Sequence, residues 1–366
     1  MSIPATNGGH QDTRTAIITL LYESGPLTRQ DIAARLSLSL PTVTAHLRAL
    51  EAEGTLMRAG VRASTGGRPA VTWQPDTRRH AAIGVTIRST EIVCLTVDLT
   101  GAVIDERHVT IAARTDPIFY QRVAHAVAEA AQAATRRGLR LLGVGLAPPA
   151  HINTSSSLDY AQIGAHCATL TGLPVTDTER YCAYALAECW ARQRPDDLVC
   201  LFLGNHVGSA AVRAGRPHTA AVEHMCLDPA GPRCECGARG CLNAYCSTAC
   251  LAEDGESLAG FFSVLEQGET HHRARMRAWC DSMAHAVANI RAVLPTDVVV
   301  CGPIAEYLDD DEIARLDPAG RLPAGGTAGG TRADTPRVLR GVGEPYQDAH
   351  GAALAIVGRH LETLRG

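Results

Sequence analysis

Apolar side chains recur at helical spacing in three segments near the start of the chain. The first spans residues 15–22, the second follows Thr28, which we interpret as an N-cap, and the third follows Ser39. In the third segment three apolar side chains share one face, four and three residues apart: Val43, Leu47 and Leu50. Two strand-like segments joined by a glycine-rich turn at residues 63–69 come next. The pattern predicts a winged helix-turn-helix domain over residues 1–79.

The polar side chains of the third segment indicate a partner for this domain. Its other face carries Ala45 together with the candidates for base contact, Thr42, Thr44, His46 and Arg48. A helix with short polar side chains near its N-terminus can enter a DNA major groove and reach base edges. The wing turn carries Arg68, which could enter a narrow minor groove. Helix-turn-helix motifs also occur as plain packing units, and a Gly-Gly-Arg turn is often only a loop.

Charge along the chain favours the DNA-binding interpretation. Residues 1–79 hold nine arginines against six acidic residues, a net charge of +3, whereas residues 80–366 hold 25 arginines against 32 acidic residues, a net charge of −7. A basic segment joined to an acidic body is typical of a nucleic-acid-binding module on a larger protein. We therefore expect double-stranded DNA as a partner.

Hydropathy argues against a membrane partner. The longest uncharged apolar run, near residues 141–150, is about half of the roughly 20 residues needed to cross a bilayer. Residues 1–14 are polar where a signal peptide would be apolar. We expect a cytoplasmic protein that associates with the bacterial nucleoid.

Beyond Pro75, strand-like and helical segments alternate as far as the C-terminus. Strands are predicted at residues 81–85, 92–97, 141–146, 198–203 and 297–301, and helices at residues 117–136 and 347–364. Such alternation is typical of layered α/β architecture.

The most specific local signal is a group of possible metal ligands. His224 is followed after nine residues by Cys234, and then by Cys236 and Cys241. Three thiolates and one imidazole suit tetrahedral Zn²⁺, and glycines inside the run permit tight turns. Since the protein would fill all four positions, none is left for a reactive water, and we predict a structural zinc site. The alternative is a loop of free cysteines.

Together these motifs resemble the ROK family, which groups bacterial sugar-responsive repressors with sugar kinases. The zinc motif carries the likeness most strongly, and residues 39–43 and 66–69 resemble the repressor branch. The resemblance implies a two-lobed, actin-like (ribonuclease H-like) effector and oligomerisation domain over residues 80–366. Its lobes are expected at about 80–195 and 196–366, with the C-terminal helix packed on the first. It also implies a homodimer or homotetramer, and two-fold symmetry predicts a pseudo-palindromic operator.

Departures from the family pattern argue against kinase activity. In the segment that resembles the first phosphate loop of the kinases, Arg88 replaces a glycine, and the second loop contains His206 where glycines are expected. The alignment places Arg180 where the kinases hold their catalytic aspartate. A guanidinium stays protonated and cannot accept a hydroxyl proton, so we expect no enzyme activity.

The resemblance also suggests where a ligand would bind. Two sugar-binding carboxylates of the family correspond to Ala221 and Asn243, so we expect weak binding of a neutral hexose. The candidate ligand residues are Arg88, Glu179, Arg180, His206, His224 and Asn243. If the cationic ones converge, they would suit an anionic metabolite. Alternatively, Arg180 pairs with Glu179 or another acid and the domain serves oligomerisation only.

We interpret the chain as a DNA-binding transcriptional regulator that acts as a repressor. The rival interpretation is a sugar kinase that carries a DNA-binding head.

Overall fold

A computed structural model describes residues 8–62, 70–149, 158–192, 197–252, 255–317 and 336–365. The first element group, here called the head, combines three helices with a three-stranded sheet. The helices are α1 (Gly8–Ser24), α2 (Arg29–Leu36) and α3 (Leu40–Ala52). The strands are β1 (Leu27–Thr28), β2 (Leu56–Arg62) and β3 (Ala70–Pro75), in the order β1-β3-β2. Residues 63–69 of the predicted wing turn, Arg68 among them, lie outside the described residues.

Local capping explains where the two central helices of the head begin. The Thr28 hydroxyl accepts a hydrogen bond from the Asp31 backbone N–H (3.2 Å), and the Asp31 carboxylate accepts one from the Thr28 N–H (3.1 Å). This is a capping box, and it confirms the N-cap predicted at Thr28. Ser39 caps α3 by accepting from the Thr42 N–H (3.3 Å).

The head has its own apolar core. Helix and sheet residues contribute to it, among them Ile17, Leu21, Ile32, Leu47 and Trp73. The apolar face predicted for α3 is confirmed, because Val43, Leu47 and Leu50 are all buried.

The rest of the chain contains two five-stranded sheets. The first has the order β6-β5-β4-β7-β8, from β4 (His80–Ile87), β5 (Glu91–Asp98), β6 (Val103–Thr110), β7 (Arg140–Leu146) and β8 (Val175–Asp177). The second has the order β11-β10-β9-β12-β13, from β9 (Leu198–Leu203), β10 (Val207–Arg213), β11 (Arg216–Thr219), β12 (Asp297–Cys301) and β13 (Val338–Arg340).

The two sheets repeat one topology. In each, the first three strands in chain order form an antiparallel meander. The fourth strand then pairs in parallel with the first: β7 with β4, and β12 with β9. Helices alternate with the strands in chain order, as predicted, and the last helix follows β13. They are α4 (Pro117–Arg136), α5 (Tyr160–Thr171), α6 (Arg180–Ala191), α7 (Asn243–Cys246), α8 (Leu258–Glu266), α9 (Thr270–Val293), α10 (Asp310–Arg315) and α11 (Gln347–Arg365).

The structure divides into two compact units. One contains the head, the first five-stranded sheet, α4, α5 and the part of α11 from Ala353 onward. The other contains α6 to α10, the second sheet and the start of α11. Among the described residues, no helix combines the length and the apolar character that crossing a membrane requires.

Candidate DNA-binding and metal-binding sites

Helix α3 of the head leaves a narrow face open to solvent. Pro41, Ala45 and Arg48 are exposed and recur four and three residues apart, so they share one side of the helix. Thr42 and Thr44 are half-buried at its edges. The Thr44 hydroxyl donates to the Leu40 carbonyl (2.7 Å), which occupies its proton within the helix. Of the four predicted side chains on α3, Arg48 is the exposed one.

One of the predicted base contacts is wrong. His46 is 6% exposed and lies on the inward face of α3 with Val43, Leu47 and Leu50. These four positions follow the i, i+3, i+4, i+7 spacing of a buried helix face. Ala45, which was expected on the outward face but not among the base contacts, is exposed there.

The four predicted metal ligands come together in the second unit. Their donor atoms all lie within 4.8 Å of one another, so this group could hold a metal ion. His224 ends a short 3₁₀-helix, Val222–His224, and the three cysteines come from a tight hairpin. Within it the Cys234 N–H donates to the Ala238 carbonyl (2.9 Å) and the Gly237 N–H to the Cys234 carbonyl (3.0 Å).

Gly240 is required by the backbone of this hairpin. It has a φ of +70°, a left-handed conformation that L side chains rarely adopt. A Cβ at this position would also lie 1.7 Å from the Asp228 carbonyl oxygen. The glycine predicted for a tight turn therefore has both a conformational and a steric reason.

The distances within the group fit a tetrahedral ion. Cys236 Sγ and Cys241 Sγ are 3.7 Å apart, as are Cys234 Sγ and His224 Nδ1. A tetrahedron with metal–sulfur bonds of about 2.3 Å has edges of roughly 3.8 Å between sulfurs. Burial raises the pKa of Cys241 to about 12, whereas a hydrogen bond from the Ala238 backbone lowers the pKa of Cys236. A divalent cation would replace the Cys241 proton.

Two predicted ligand residues support the hairpin instead of standing free. The Asn243 side-chain oxygen accepts from the Val207 N–H (2.7 Å), and its amide nitrogen donates to Glu235 Oε1 (3.2 Å). His206 Nδ1 lies 2.9 Å from the same Glu235 carboxylate oxygen. Glu235, which sequence reasoning missed, thus links the β9–β10 turn to the metal-ligand hairpin.

Two carboxyl groups lie near each other in the same unit. Glu179 caps α6 by accepting from the Tyr181 and Cys182 N–H groups, at 3.0 and 3.2 Å. Glu223 is buried and accepts a hydrogen bond from the Ser209 hydroxyl. Burial raises the pKa of each, and the Glu179 charge adds to the rise at Glu223. Sequence reasoning missed Glu223, although it directly precedes His224.

The predicted cationic residues do not form one unpaired group. Arg180 Nε lies 3.3 Å from Asp348 Oδ2, and Asp348 is 1% exposed. Arg88 is exposed in the β4–β5 turn. The pairing of Arg180 with a carboxylate is the alternative expected from the sequence, with Asp348 as the partner.

Both the head and the domain that follows it match known protein families. The profile of the ROK family matches residues 82–307, more than half of the chain, and a profile described as winged helix-turn-helix DNA-binding matches residues 11–56.

Curated relatives carry the same likeness. The chain is 25% identical over 256 residues to the DNA-binding transcriptional dual regulator NagC of Escherichia coli K12, over 65% of this chain and 63% of NagC. It is 23% identical over 270 residues to the repressor Mlc of the same organism, over 69% of this chain and 65% of Mlc. A putative xylose repressor of Caldicellulosiruptor is 23% identical over 84% of this chain and 87% of its own length. The matches to NagC and to Mlc thus each span less than two thirds of the relative.

Solved structures share the fold. A ROK family transcriptional regulator described as a homologue of E. coli Mlc has a TM-score of 0.74 at 18% identity, over 98% of both chains. The ROK hexokinase of Thermus thermophilus has a TM-score of 0.62 at 22% identity, over 77% of this chain and 99% of the hexokinase. The architecture is thus a winged helix-turn-helix followed by a ROK actin-like domain.

Proposed function

The chain belongs to the ROK family, and on that premise we propose that it is a sequence-specific DNA-binding transcriptional repressor. The observation that carries the proposal is the head, whose helix α3 leaves Pro41, Ala45 and Arg48 exposed. Small side chains at two of these positions allow the close backbone approach that base contacts in a major groove need. Similarity to NagC, Mlc and a xylose repressor supports the same role.

Within this proposal, contacts to DNA come from the exposed side of α3 and from the wing. Arg48 supplies a bidentate donor for a base edge or a phosphate, and Thr42 and Thr44 flank it. Arg68 in the wing turn stays a prediction for the minor groove. The net charge of +3 on residues 1–79 favours approach to the phosphate backbone.

The proposal includes Zn²⁺ at His224, Cys234, Cys236 and Cys241. When bound, the ion would supply four bonds that hold the hairpin closed, and its three thiolates and one imidazole leave no position for a reactive water. We expect about one zinc per purified chain by elemental analysis. Loss of the metal from Cys236→Ser, with a lower unfolding temperature, would agree with a structural role, whereas unchanged stability would contradict it.

We further propose that the chain lacks sugar kinase activity, although solved relatives include a ROK hexokinase. Arg180 occupies the position that the resemblance gives to the kinase proton acceptor, and its pairing with Asp348 keeps a cation there. A coupled ATP assay over a panel of hexoses is the discriminating measurement. Hexose-dependent ATP turnover that co-purifies with the chain would establish the rival interpretation.

Assembly and location complete the proposal. A homodimer or homotetramer with two-fold symmetry would present two copies of α3 to a pseudo-palindromic operator, with half-sites centred about 34 Å apart or a multiple of it. Such a protein acts in the bacterial cytoplasm, at the nucleoid. The pairing of Arg180 and His206 with carboxylates disfavours an anionic effector.

The decisive experiment is to isolate genomic fragments that the purified full chain retains and to measure their affinity by fluorescence anisotropy. We expect fragments that share an inverted repeat and bind on the order of a thousandfold more tightly than random duplex at the same salt. Equal affinity for all duplexes would contradict sequence-specific regulation.

A further inference from the structure

An additional exposed cysteine faces one of the metal ligands. We propose that Cys226 is a redox modification site, which forms a disulfide with Cys241 when a hydroperoxide oxidises it and thereby releases the metal ion. The inference rests on the proposed zinc site. Cys226 itself is not one of the four predicted metal ligands.

The backbone fixes the register of the two cysteines. Cys226 and Cys241 are paired in an antiparallel β-bridge. The hydrogen bonds flank the pair: the Leu227 N–H donates to the Gly240 carbonyl (2.7 Å), and the Leu242 N–H donates to the Met225 carbonyl (2.9 Å). Cys226 and Cys241 are therefore a non-hydrogen-bonded pair, the kind in which Cα atoms approach most closely, to about 4.5 Å.

Antiparallel pairing places both side chains on the same side of this bridge. Met225, Leu227 and Leu242 pack against the apolar core of the second sheet. Directly opposed residues of an antiparallel pair project to the same side, so the Cys226 side chain lies beside that of Cys241, which joins the metal-ligand group. A separation of about 4.5 Å between Cα atoms falls within the range of roughly 4.4–6.8 Å that disulfides span.

The two thiols differ in solvent exposure, and this difference determines which of them is oxidised before the other. Cys226 is exposed, and its thiol donates a weak hydrogen bond to the Arg239 carbonyl (3.5 Å). Cys241 is 1% exposed. A dissolved oxidant therefore reaches Cys226 before Cys241.

The chemical step balances with a hydroperoxide as the oxidant. The Cys226 sulfur attacks the peroxide, so that an S–O bond forms, the O–O bond breaks, and hydroxide leaves as water after taking a proton. The Cys241 thiolate then attacks the Cys226 sulfenic acid: the S–S bond forms, the S–O bond breaks, and the hydroxide that leaves takes a proton from the solvent to give a second water. Two thiol sulfurs are oxidised, one hydrogen peroxide is reduced, and the ion loses a thiolate ligand.

The test uses the full-length protein with its metal bound, treated with hydrogen peroxide while a chromogenic chelator reports released zinc. Non-reducing peptide mass spectrometry identifies the disulfide. We expect zinc release together with a peptide pair linked through Cys226 and Cys241, and rebinding of zinc after a thiol reductant is added. In Cys226→Ser, release should be at least about tenfold slower, because the exposed thiol opposite Cys241 is gone.

Cys189→Ser is the matched control, because it also removes a non-ligand thiol, and its zinc release should match that of the unmodified chain. Equal release rates in Cys226→Ser and the unmodified chain would overturn the inference, as would a disulfide confined to the ligand cysteines. The zinc content before oxidation tests the metal site separately. A chain without zinc that still forms the Cys226–Cys241 bond would contradict the metal site alone.

Discussion

Two residues of α3, two positions apart, are expected to contribute to different properties, one to DNA binding and one to stability. Arg48 is exposed, whereas His46 is buried in the head. We predict that Arg48→Ala lowers operator affinity roughly tenfold, the loss of one good base or phosphate contact, with little change in stability. His46→Ala should instead lower the free energy of unfolding of the head by about 1–3 kcal/mol, because a buried polar group and its packing are lost. Anisotropy titrations and thermal unfolding of both variants measure the two effects.

Arg213→Ala provides the control for charge, because it removes an exposed arginine far from the head in the sequence. Its operator affinity should match that of the unmodified chain. If Arg48→Ala bound operator normally while His46→Ala, still folded, did not, the assignment of the DNA-facing side of α3 would be reversed.

Asn243 provides a second residue-scale prediction. Its side-chain oxygen is the acceptor for the Val207 N–H, and both residues are buried. Asn243→Ala would leave that N–H without its partner, at a cost of about 1–3 kcal/mol in the free energy of unfolding. Chemical denaturation measures the loss. Asn205 lies in the turn just before Val207, and its exposed side-chain oxygen accepts a hydrogen bond from the Thr248 hydroxyl. Asn205→Ala should change the free energy of unfolding by less than about 0.5 kcal/mol.

A similar effect in the two asparagine variants would mean that the buried bond to Val207 contributes no more than an exposed one. A large loss in Asn243→Ala alone would identify this position, occupied by a carboxylate in the family pattern, as a support of the metal-ligand hairpin.

At the scale of elements, short sequence motifs predicted the features that depend on neighbouring residues, namely helix caps and tight turns. The caps at Thr28 and Ser39 and the glycine turns of the metal-ligand hairpin depend on residues within a few positions, and the sequence shows them directly. The partner of Arg180 is 168 residues away, so spacing could not identify it. His46 was misplaced because an imidazole suits a polar face as well as a buried one, and only packing distinguishes them.

Two glycines of α11 allow a prediction about helix packing. A Cβ at Gly351 would lie 1.8 Å from the Ala183 carbonyl oxygen of α6, whereas a Cβ at Gly358 would meet no neighbouring atom within 4 Å. We predict that Gly351→Ala destabilises the protein by at least about 1–3 kcal/mol, because backbone cannot yield as a flexible side chain can. Gly358→Ala should stabilise it by about 0.5–1 kcal/mol, through better helix propensity.

Denaturant unfolding of the two variants measures this difference, and each serves as the control for the other because the substitution and the helix are the same. Equal shifts in both would show that propensity, not the contact with α6, determines the effect.

At the scale of the whole molecule, the head and the first sheet share one compact unit, and titratable groups lie where they meet. A cavity of about 390 Å³ is lined there by Tyr22, Glu53 and Thr55 of the head and by Asp76, His80, Leu99, Arg140 and His360. The rings of His80 and His360 have centroids 5.3 Å apart. The acids are engaged with arginines, Glu53 with Arg14 and Asp76 with Arg79 at 2.9 Å. The imidazoles of His80 and His360 thus lie side by side in an environment that disfavours their protonation.

This arrangement predicts a pH dependence of stability. Burial lowers the pKa of His360, and burial, His360 and Arg140 lower the pKa of His80 below the usual 6.5. When the pKa of a histidine is lower in the folded state, the unfolded chain binds protons first. The stability that these imidazoles contribute is therefore complete above pH 6.5 and is lost as the pH falls through their folded pKa values. The expected measurement is a decline in the free energy of unfolding on acidification from neutral pH.

His360→Gln isolates this contribution from that of other histidines, because His108 and His272, whose pKa values are raised by carboxylate hydrogen bonds, act with the opposite sign. The variant removes one imidazole and also removes a charge that opposes protonation of His80, so its stability should decline less below pH 6.5 than that of the unmodified chain. His218→Gln, at an exposed position on β11, should retain the full decline. If the free energy of unfolding fell equally with pH in His360→Gln and in the unmodified chain, protonation of these two imidazoles would not destabilise the protein. The acid sensitivity would then arise from other groups.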